Sequence, residues 1–446
     1  MNRRSVLGLA LAAIGSGAAA SAGAQTPTAT PVAKPAVGDL SKALFDGDEQ
    51  FWYETLRVFG AVDYGGGEFG EILQIAGQIA PGDYDSWHAA WHAAAERISA
   101  EAQAQLDRGH RISARDGFLR ASNYYRSSEF FLHGNPSDPR MAVAYKRSVA
   151  CFQAAAALFP TPILPIEIPY ERTTLPGYLY RPDASGKVRP TVIMNTGFDG
   201  SVEEMHFLGA QAAVERGYNV ISFDGPGQFG PLHREGLAFR PDWEKVVGPV
   251  VDFALTRREV DPRRIALFGT SMGGELAPRA AAFEKRLAAC IADDGVYDNA
   301  APILANAPPA YRETLKARLR AATDPQLDAM LKQLMATNPT ARWAMTHGVY
   351  AMGVKTPRAY AAALLDYSLA GGIAEQITCP TLVCDAEDDI FFKGQAQILY
   401  DHLKCPKTLI KFTTAEGAGS HCQVSASRLA NARIFDWLDE TLAMKA

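Results

Sequence analysis

The chain has 446 residues, 48% of them apolar and 21% charged, which is an ordinary globular composition with enough length for two or three domains and a large buried core. A formal net charge of −5 leaves no basic face for a phosphate backbone, so the charge balance excludes nucleic acid as a partner. The predicted elements fall into four segments.

Residues 1–24 begin with Arg3-Arg4, continue through a modest apolar run and end in small residues at Ala22-Gly23-Ala24, the pattern of an export signal. The arginine pair resembles a twin-arginine signal, which predicts a bacterial protein exported to the periplasm or beyond. The apolar run is too short and too rich in Ala and Gly for a stable membrane anchor. Residues 25–45 are rich in Pro, Thr and Ala without an apolar period and read as a flexible linker. From 46 to 160 apolar residues recur at helical spacing with almost no strand signal, predicting an all-helical N-terminal domain. Within it His88 and His92 stand one helical turn apart, but no Glu follows His88 and no third ligand is evident, so packing beside Trp87 and Trp91 explains them better than zinc.

The period changes at 163–168 and 175–180, two alternating runs that predict an antiparallel hairpin. Thereafter strands at 191–195, 219–223, 264–268, 288–292, 381–384 and 408–412 alternate with helices near 203–216, 243–256, 275–283, 394–402 and 425–442. Such an order predicts an α/β domain over 161–446, a mostly parallel twisted sheet with helices on both faces. A helical stretch at about 299–378 interrupts the alternation where a lid is commonly inserted. Cysteines stand at 151, 290, 379, 384, 405 and 422, and the sequence selects no pairing; Cys379 and Cys405, each just before a strand of the same sheet, are the pair to test for a bridge.

Around Ser271 an apolar strand runs into Gly269-Thr-Ser-Met-Gly273 and then into an Ala-rich helix. Gly-x-Ser-x-Gly is a weak signal by itself, so the flanking strand and helix carry the inference of a nucleophile elbow, a tight turn that exposes a serine hydroxyl. A serine needs a histidine to take its proton and a carboxylate to hold that histidine. His421 sits in the Gly-rich loop between the last strand and the last helix. For the acid, Asp389 occupies the strand-end position and Asp388 is the runner-up, within a turn that also holds Asp385 and Glu387. The amide of Met272 and that of Phe198, in the loop Gly197-Phe-Asp-Gly200, are the candidate oxyanion donors. Gly197 and Asp199 are candidate pocket residues, as are Asp294 and Asp298 after the 288–292 strand, where an acid near the lid would serve a leaving group; loop capping is the plainer role for those two. The turn 224–228 is either punctuation or part of the site's lining, and the basic residues of 311–320 read as a solvated helix face.

Several longer motifs, Arg120-Ala-Ser-Asn-Tyr-Tyr-Arg126, Leu175-Pro-Gly-Tyr178, Gly197-Phe-Asp-Gly200, Phe223-Asp-Gly-Pro-Gly-Gln228, Arg240-Pro-Asp-Trp-Glu244, Gly269-Thr-Ser-Met-Gly-Gly274 and Gly417-Ala-Gly-Ser-His-Cys422, give the span from about 111 to 438 a resemblance. The chain resembles α/β-hydrolases with an N-terminal helical domain, among them the fungal pigment-pathway hydrolases that shorten a heptaketide naphthopyrone and, more distantly, 2,6-dihydroxypseudooxynicotine hydrolase. The resemblance implies a catalytic triad of Ser271, Asp389 and His421, and cleavage of carbon–carbon bonds next to a carbonyl or of carboxylic esters. The expectation is an exported serine hydrolase for a small carbonyl compound of aromatic or polyketide type, working through an acyl-enzyme with no metal or organic cofactor and compatible with a homodimer. An amide hydrolase of peptidase type and a catalytically silent ligand-binding protein are the alternatives.

Overall fold

The computed structural model describes residues 38–305 and 307–443. The export signal and most of the linker expected at the N-terminus lie outside these residues. Six helices come first: α1 (Gly38–Phe45), α2 (Glu49–Gly60), α3 (Phe69–Ala76), α4 (Tyr84–Asp107), α5 (Arg111–Glu129) and α6 (Pro139–Ala156). Residues 38–45 are therefore helix and not linker. The reason is Phe45, fully buried edge-on against Phe51 and tilted against Trp87, a contact that composition alone does not announce. Side-chain caps start α2, α4 and α6, where Asp48, Asp83 and Asp138 accept from the first free backbone amides.

Eight strands come next: β1 (Leu164–Tyr170), β2 (Thr173–Tyr180), β3 (Arg189–Asn195), β4 (Asn219–Phe223), β5 (Val260–Thr270), β6 (Ala289–Asp293), β7 (Thr381–Ala386) and β8 (Lys407–Phe412). They form one sheet in the order β1-β2-β4-β3-β5-β6-β7-β8, in which β2 runs antiparallel to both of its neighbours, β1 and β4, and all other pairs are parallel. Strands β4 and β6 are buried at every position, as expected when both faces are covered. Side-chain alternation splits the core in two. Val192, Met194, Phe268 and Ile291 face a cluster shared with the N-terminal helices, while Ile193, Leu267, Cys290 and Val383 face α9 (Glu244–Leu255) and α10 (Gly273–Phe283), with α7 (Gln211–Glu215) and α8 (Phe229–Glu235) lying earlier in the chain.

Between β6 and β7 the chain leaves the sheet for α11 (Ala301–Leu304), α12 (Arg312–Arg320), α13 (Pro325–Thr337), α14 (Pro339–Ala351) and α15 (Pro357–Ala363). Helix α16 (Gln395–His402) comes after β7, and α17 (Ser427–Thr441) closes the chain. The insertion reaches the N-terminal helices: the Tyr84 hydroxyl donates to the Pro339 carbonyl at 3.4 Å, and Arg342 donates to the Gly82 carbonyl at 2.8 Å. All six cysteines are free thiols, Cys379 and Cys405 included. Among the described residues no helix is long and apolar enough to cross a membrane.

Candidate active site

Strand β5 ends at Thr270 and α10 begins at Gly273, so the chain reverses direction within two residues. Ser271 makes that turn with φ 63°, a left-handed conformation that a side chain rarely adopts and that costs about 1–3 kcal/mol. The turn is held from both sides: Ser271 N–H donates to the Asp293 carbonyl at 2.6 Å, and the Gly274 amide donates back to the Ser271 carbonyl at 2.7 Å. Gly197 lies directly against it, since a Cβ there would stand 2.6 Å from the Met272 nitrogen and 2.8 Å from the Ser271 Cβ. Only glycine lets the loop after β3 close on the turn.

The imidazole of His421 bridges to this serine. Its Nε2 lies 2.9 Å from Ser271 Oγ, and its Nδ1 lies 3.0 Å from Asp389 Oδ2. The order is hydroxyl, imidazole, carboxylate, with all three contributed by loops at the C-terminal ends of strands. Asp389 is buried and accepts from the amides of Phe391 and Phe392 at 2.7 and 2.9 Å, which fixes its carboxylate. Asp388, by contrast, has a largely exposed side chain bonded to Thr414 and 3.7 Å from Lys393.

A second carboxylate also meets the imidazole. Asp294 Oδ2 is 3.2 Å from His421 Nδ1 and accepts the Cys422 amide at 2.8 Å, while its Oδ1 accepts Gln423 Nε2 at 2.6 Å. Asp294 therefore braces the histidine loop, where Cys422 and Gln423 both have positive φ, and it is not among the residues lining the two cavities beside the serine. Asp298 is likewise absent from the cavity walls and caps the next turn, accepting the Ala300 amide at 2.8 Å. Both were expected near the lid entrance. The chain turns back at Asp293-Asp294 to support the histidine loop, and a short bridge between Asp298 and Ser368 anchors the start of the insertion to its end.

Burial opposes charge on His421, but the Asp389 carboxylate outweighs it. Helped by Cys422, Tyr53 and the Asp294 hydrogen bond, it holds the imidazole well above its ordinary value. Burial pushes the Asp389 carboxyl up, yet His421 and the two backbone amides leave it below the usual carboxylate range. Asp294 moves the other way, raised first by burial and then by the nearby Asp389 charge against the pull of His421. The Cys422 thiol, with Sγ 3.3 Å from His421 Nε2, is pushed up to about 12 by burial.

The loop facing the serine is fixed from three directions. Gln228, in the 224–228 turn, donates to the Thr196 carbonyl at 2.6 Å and the Gly197 carbonyl at 3.3 Å, so this turn props the loop from behind. Arg57 of α2 contacts Asp199 at 2.8 Å, Glu204 at 2.5 Å and Glu54 at 3.3 Å, and Arg126 of α5 donates to the Asp199 carbonyl at 2.9 Å. Three buried carboxyls share two guanidinium groups, and the excess acid is Glu54: burial raises its carboxyl to about 8. From the insertion, His347 of α14 donates through Nε2 to the Phe198 carbonyl at 2.8 Å, and its Nδ1 lies 2.7 Å from His133 Nδ1. Burial drops His347 to about 3, so it is neutral and its Nδ1 accepts from His133. His133 in turn reaches Glu129 Oε1 at 3.2 Å, and His233 reaches Glu129 Oε2 at 3.2 Å. Burial opposes charge on Glu129, but His233 and His133 hold its carboxyl below the ordinary range, so it only accepts.

Ser271 opens onto a cavity walled by Phe198, Met272, Trp343, Tyr360, Phe391 and Phe392 together with aliphatic residues of the insertion. Asp199 also lines it, while Gly197 lines an adjoining space bounded by Tyr53, Arg57, His421 and Ser271. Met272 N–H opens α10 beside the serine, where a helix N-terminus favours negative charge. Among the described residues two groups have donor atoms close enough for a metal, Glu129 with His133 and His233, and Asp294 with His421 and Cys422; each is already bonded internally as described. His88 and His92 stack at 5.0 Å, and His88 Nδ1 bonds the Ser128 carbonyl at 2.9 Å.

The sequence reading did not single out Tyr53, Arg57, Glu129, His133 or His347. Their one visible trace was the motif 120–126, which ends in Arg126; the rest stand at unremarkable helical positions and meet the site only after the helical domain and the insertion have packed.

A profile described as the alpha/beta hydrolase family matches residues 196–432. The 20-hydroxy-prefusarin hydrolase of Gibberella moniliformis is 37% identical over 420 residues, covering 89% of this chain and 97% of that protein. The hydrolase acrC of Aspergillus aculeatus is 34% identical over 421 residues, with the same coverage of 89% and 97%. Among solved structures, the crystal structure of 2,6-dihydroxy-pseudo-oxynicotine hydrolase aligns with TM-score 0.66 at 23% identity, over 86% of this chain and 95% of that one.

Proposed function

The chain belongs to the alpha/beta hydrolase family, and from that premise we propose that it is a serine hydrolase acting through Ser271 on a bulky, uncharged carbonyl compound of polyketide type. The observation that carries this reading is the continuous path from Ser271 Oγ through His421 to Asp389, 2.9 and 3.0 Å, at the floor of an apolar cavity. His421 takes the serine proton as Oγ attacks the carbonyl. The imidazolium that forms is stabilised by the buried Asp389 carboxylate, and the oxyanion meets the amides of Met272 and Phe198. Collapse of the tetrahedral intermediate releases the leaving group with the proton from His421, and a water activated by the same imidazole frees the acyl group.

The leaving group is best matched by an oxygen, so an ester or lactone is the preferred bond. Cleavage of a carbon–carbon bond needs an acid to protonate a departing carbanion or enol, and the one carboxyl on the cavity wall, Asp199, is paired with Arg57. Asp294 and Asp298 are committed elsewhere, which leaves His421 as the proton source. The names of the relatives support a secondary-metabolite substrate, and the N-terminal segment supports export.

A fluorophosphonate probe tests the reading directly. Labelling of the wild type that disappears in Ser271→Ala is expected; folded wild type that stays unlabelled would point to a silent ligand-binding protein. Mass spectrometry of products from matched aryl esters, aryl amides and β-diketones then separates oxygen, nitrogen and carbon leaving groups.

A further inference from the structure

We propose that Asn299 anchors the substrate through a neutral hydroxyl remote from the scissile bond, so that the preferred acyl group is an apolar ring system carrying such a hydroxyl. The inference rests on the reading of Ser271 as nucleophile and concerns another residue of its cavity wall. Asn299 lies just after β6, lines the cavity at Ser271 and is 3% exposed, and its backbone amide is tied to the Tyr367 carbonyl at 3.0 Å. Neither its Oδ1 nor its Nδ2 has a hydrogen-bond partner, and since both atoms have almost no accessible area, the amide must turn into the cavity to meet a ligand.

A buried amide without partners is costly, and buried polar groups are almost always satisfied. The other amide-bearing side chains near the serine obey that rule through at least one bond: Gln228 holds the oxyanion loop, and Gln423 holds Asp294. Asn299 stands apart, on a wall otherwise built from Pro302, Ile303, Ala361 and Leu364. Trp343 Nε1 is a second unsatisfied donor from the same cavity lining, and burial alone raises the Tyr360 phenol. No Lys or Arg lines this cavity, so a carboxylate or phosphate on the ligand would be desolvated without a partner. A hydroxyl both donates and accepts, as the amide does, and needs no countercharge. A few convergent polar groups in an apolar pocket are what fix a ligand's orientation.

The test uses methyl 2-naphthoate and its 5-, 6- and 7-hydroxy isomers, read as relative kcat/KM on the wild type and on Asn299→Leu, and as relative Kd on Ser271→Ala with and without Asn299→Leu. The wild type is expected to favour at least one hydroxy isomer over the parent by about tenfold to a hundredfold, and Asn299→Leu to bring that ratio close to one. Asn299→Ser, a smaller change, should give an intermediate ratio and covers the case in which the leucine variant does not fold. A wild type that prefers no hydroxy isomer overturns the proposal, and so does a preference that survives Asn299→Leu. Binding preference lost on substitution while no ester is turned over would leave the anchor standing and remove the ester reading, so the two can fail separately.

Discussion

The two sides of the cavity differ in how their polar atoms are used. On the strand-end side the reactive groups are engaged, Ser271 with His421, His421 with two carboxylates, and Asp389 with two amides. On the insertion side, Asn299 and the Trp343 indole nitrogen have no partner in a wall of aromatic and aliphatic surface. Preorganised polar groups cost no rearrangement when charge develops, which suits a site that makes and discharges an oxyanion. Apolar surface with a few unsatisfied atoms gains from whatever fills it, which suits recognition. Chemistry and selectivity are thus assigned to different segments of the chain, and substitutions should divide the same way: changes on the strand-end side lower kcat for every substrate, while changes on the insertion side reorder substrates.

The largest effect should come from His421→Ala, which removes the base bonded to Ser271. Turnover of any ester is expected to fall by about 10⁴- to 10⁶-fold with Tm and far-ultraviolet circular dichroism little altered. Near-normal turnover would overturn the assignment. Next come the two carboxylates, and here the expectations separate. Asp389→Asn should lower kcat by about 10⁴-fold, because the imidazolium loses its principal counter-charge and its orientation. Asp294→Asn keeps one acceptor for the 421–423 loop, enough for the Cys422 amide, and should lower kcat by only about tenfold to a hundredfold. The pH profile provides a second readout. His421 must be neutral to act as base, and Asp389, Asp294, Tyr53 and Cys422 around it favour its protonated form against burial. The ascending limb of kcat/KM should therefore lie above the ordinary histidine value of about 6.5, and Asp389→Asn should move it to lower pH. A limb that moves up, or stays, would show that Asp389 does not carry the interaction.

How legible each side was in the sequence depends on the same division. The strand-end side is written in short stretches whose residue types are dictated locally: a glycine-flanked serine at a turn with φ 63°, an aspartate at the end of β7, a histidine between β8 and α17. Alternating strands and helices could be placed within a few residues because burial on both faces demands continuous apolar runs. What could not be read was convergence across distance. Arg57 reaches Asp199 from 142 positions away, and His347 meets His133 across 214, and no local pattern encodes either contact. Asp294 shows the same limit: the sequence offers it a capping role or a place by the lid, and only the path of the 421–423 loop shows where its hydrogen bonds go.

His347 joins the two sides, so its substitution sharpens the comparison. It is neutral, it donates to the carbonyl of Phe198, and it is backed by His133 and Glu129 from the N-terminal domain. His347→Phe keeps the ring but removes the donor, leaving the Phe198 carbonyl unpaired and the neighbouring oxyanion amide less well held. A fall in kcat of about tenfold with a smaller change in KM is expected, since the oxyanion contact strengthens in the transition state. A rise in KM alone would instead place His347 in the binding wall.

The smallest effect belongs to the apolar wall itself. Ala344 lies on α14 and lines the cavity beside Trp343. Ala344→Phe should narrow the chamber without touching the hydrogen bonds around Ser271. Because added bulk excludes large acyl groups before small ones, the ratio of kcat/KM for a naphthoate ester to that for an acetate ester should drop by about tenfold, the scale on which a hydrophobic pocket discriminates size. Stability should change little, since the new ring enters open space and not packed core. An equal loss for both esters would mean that the substitution had reached the strand-end side through α14 and His347, and that the two walls are mechanically coupled.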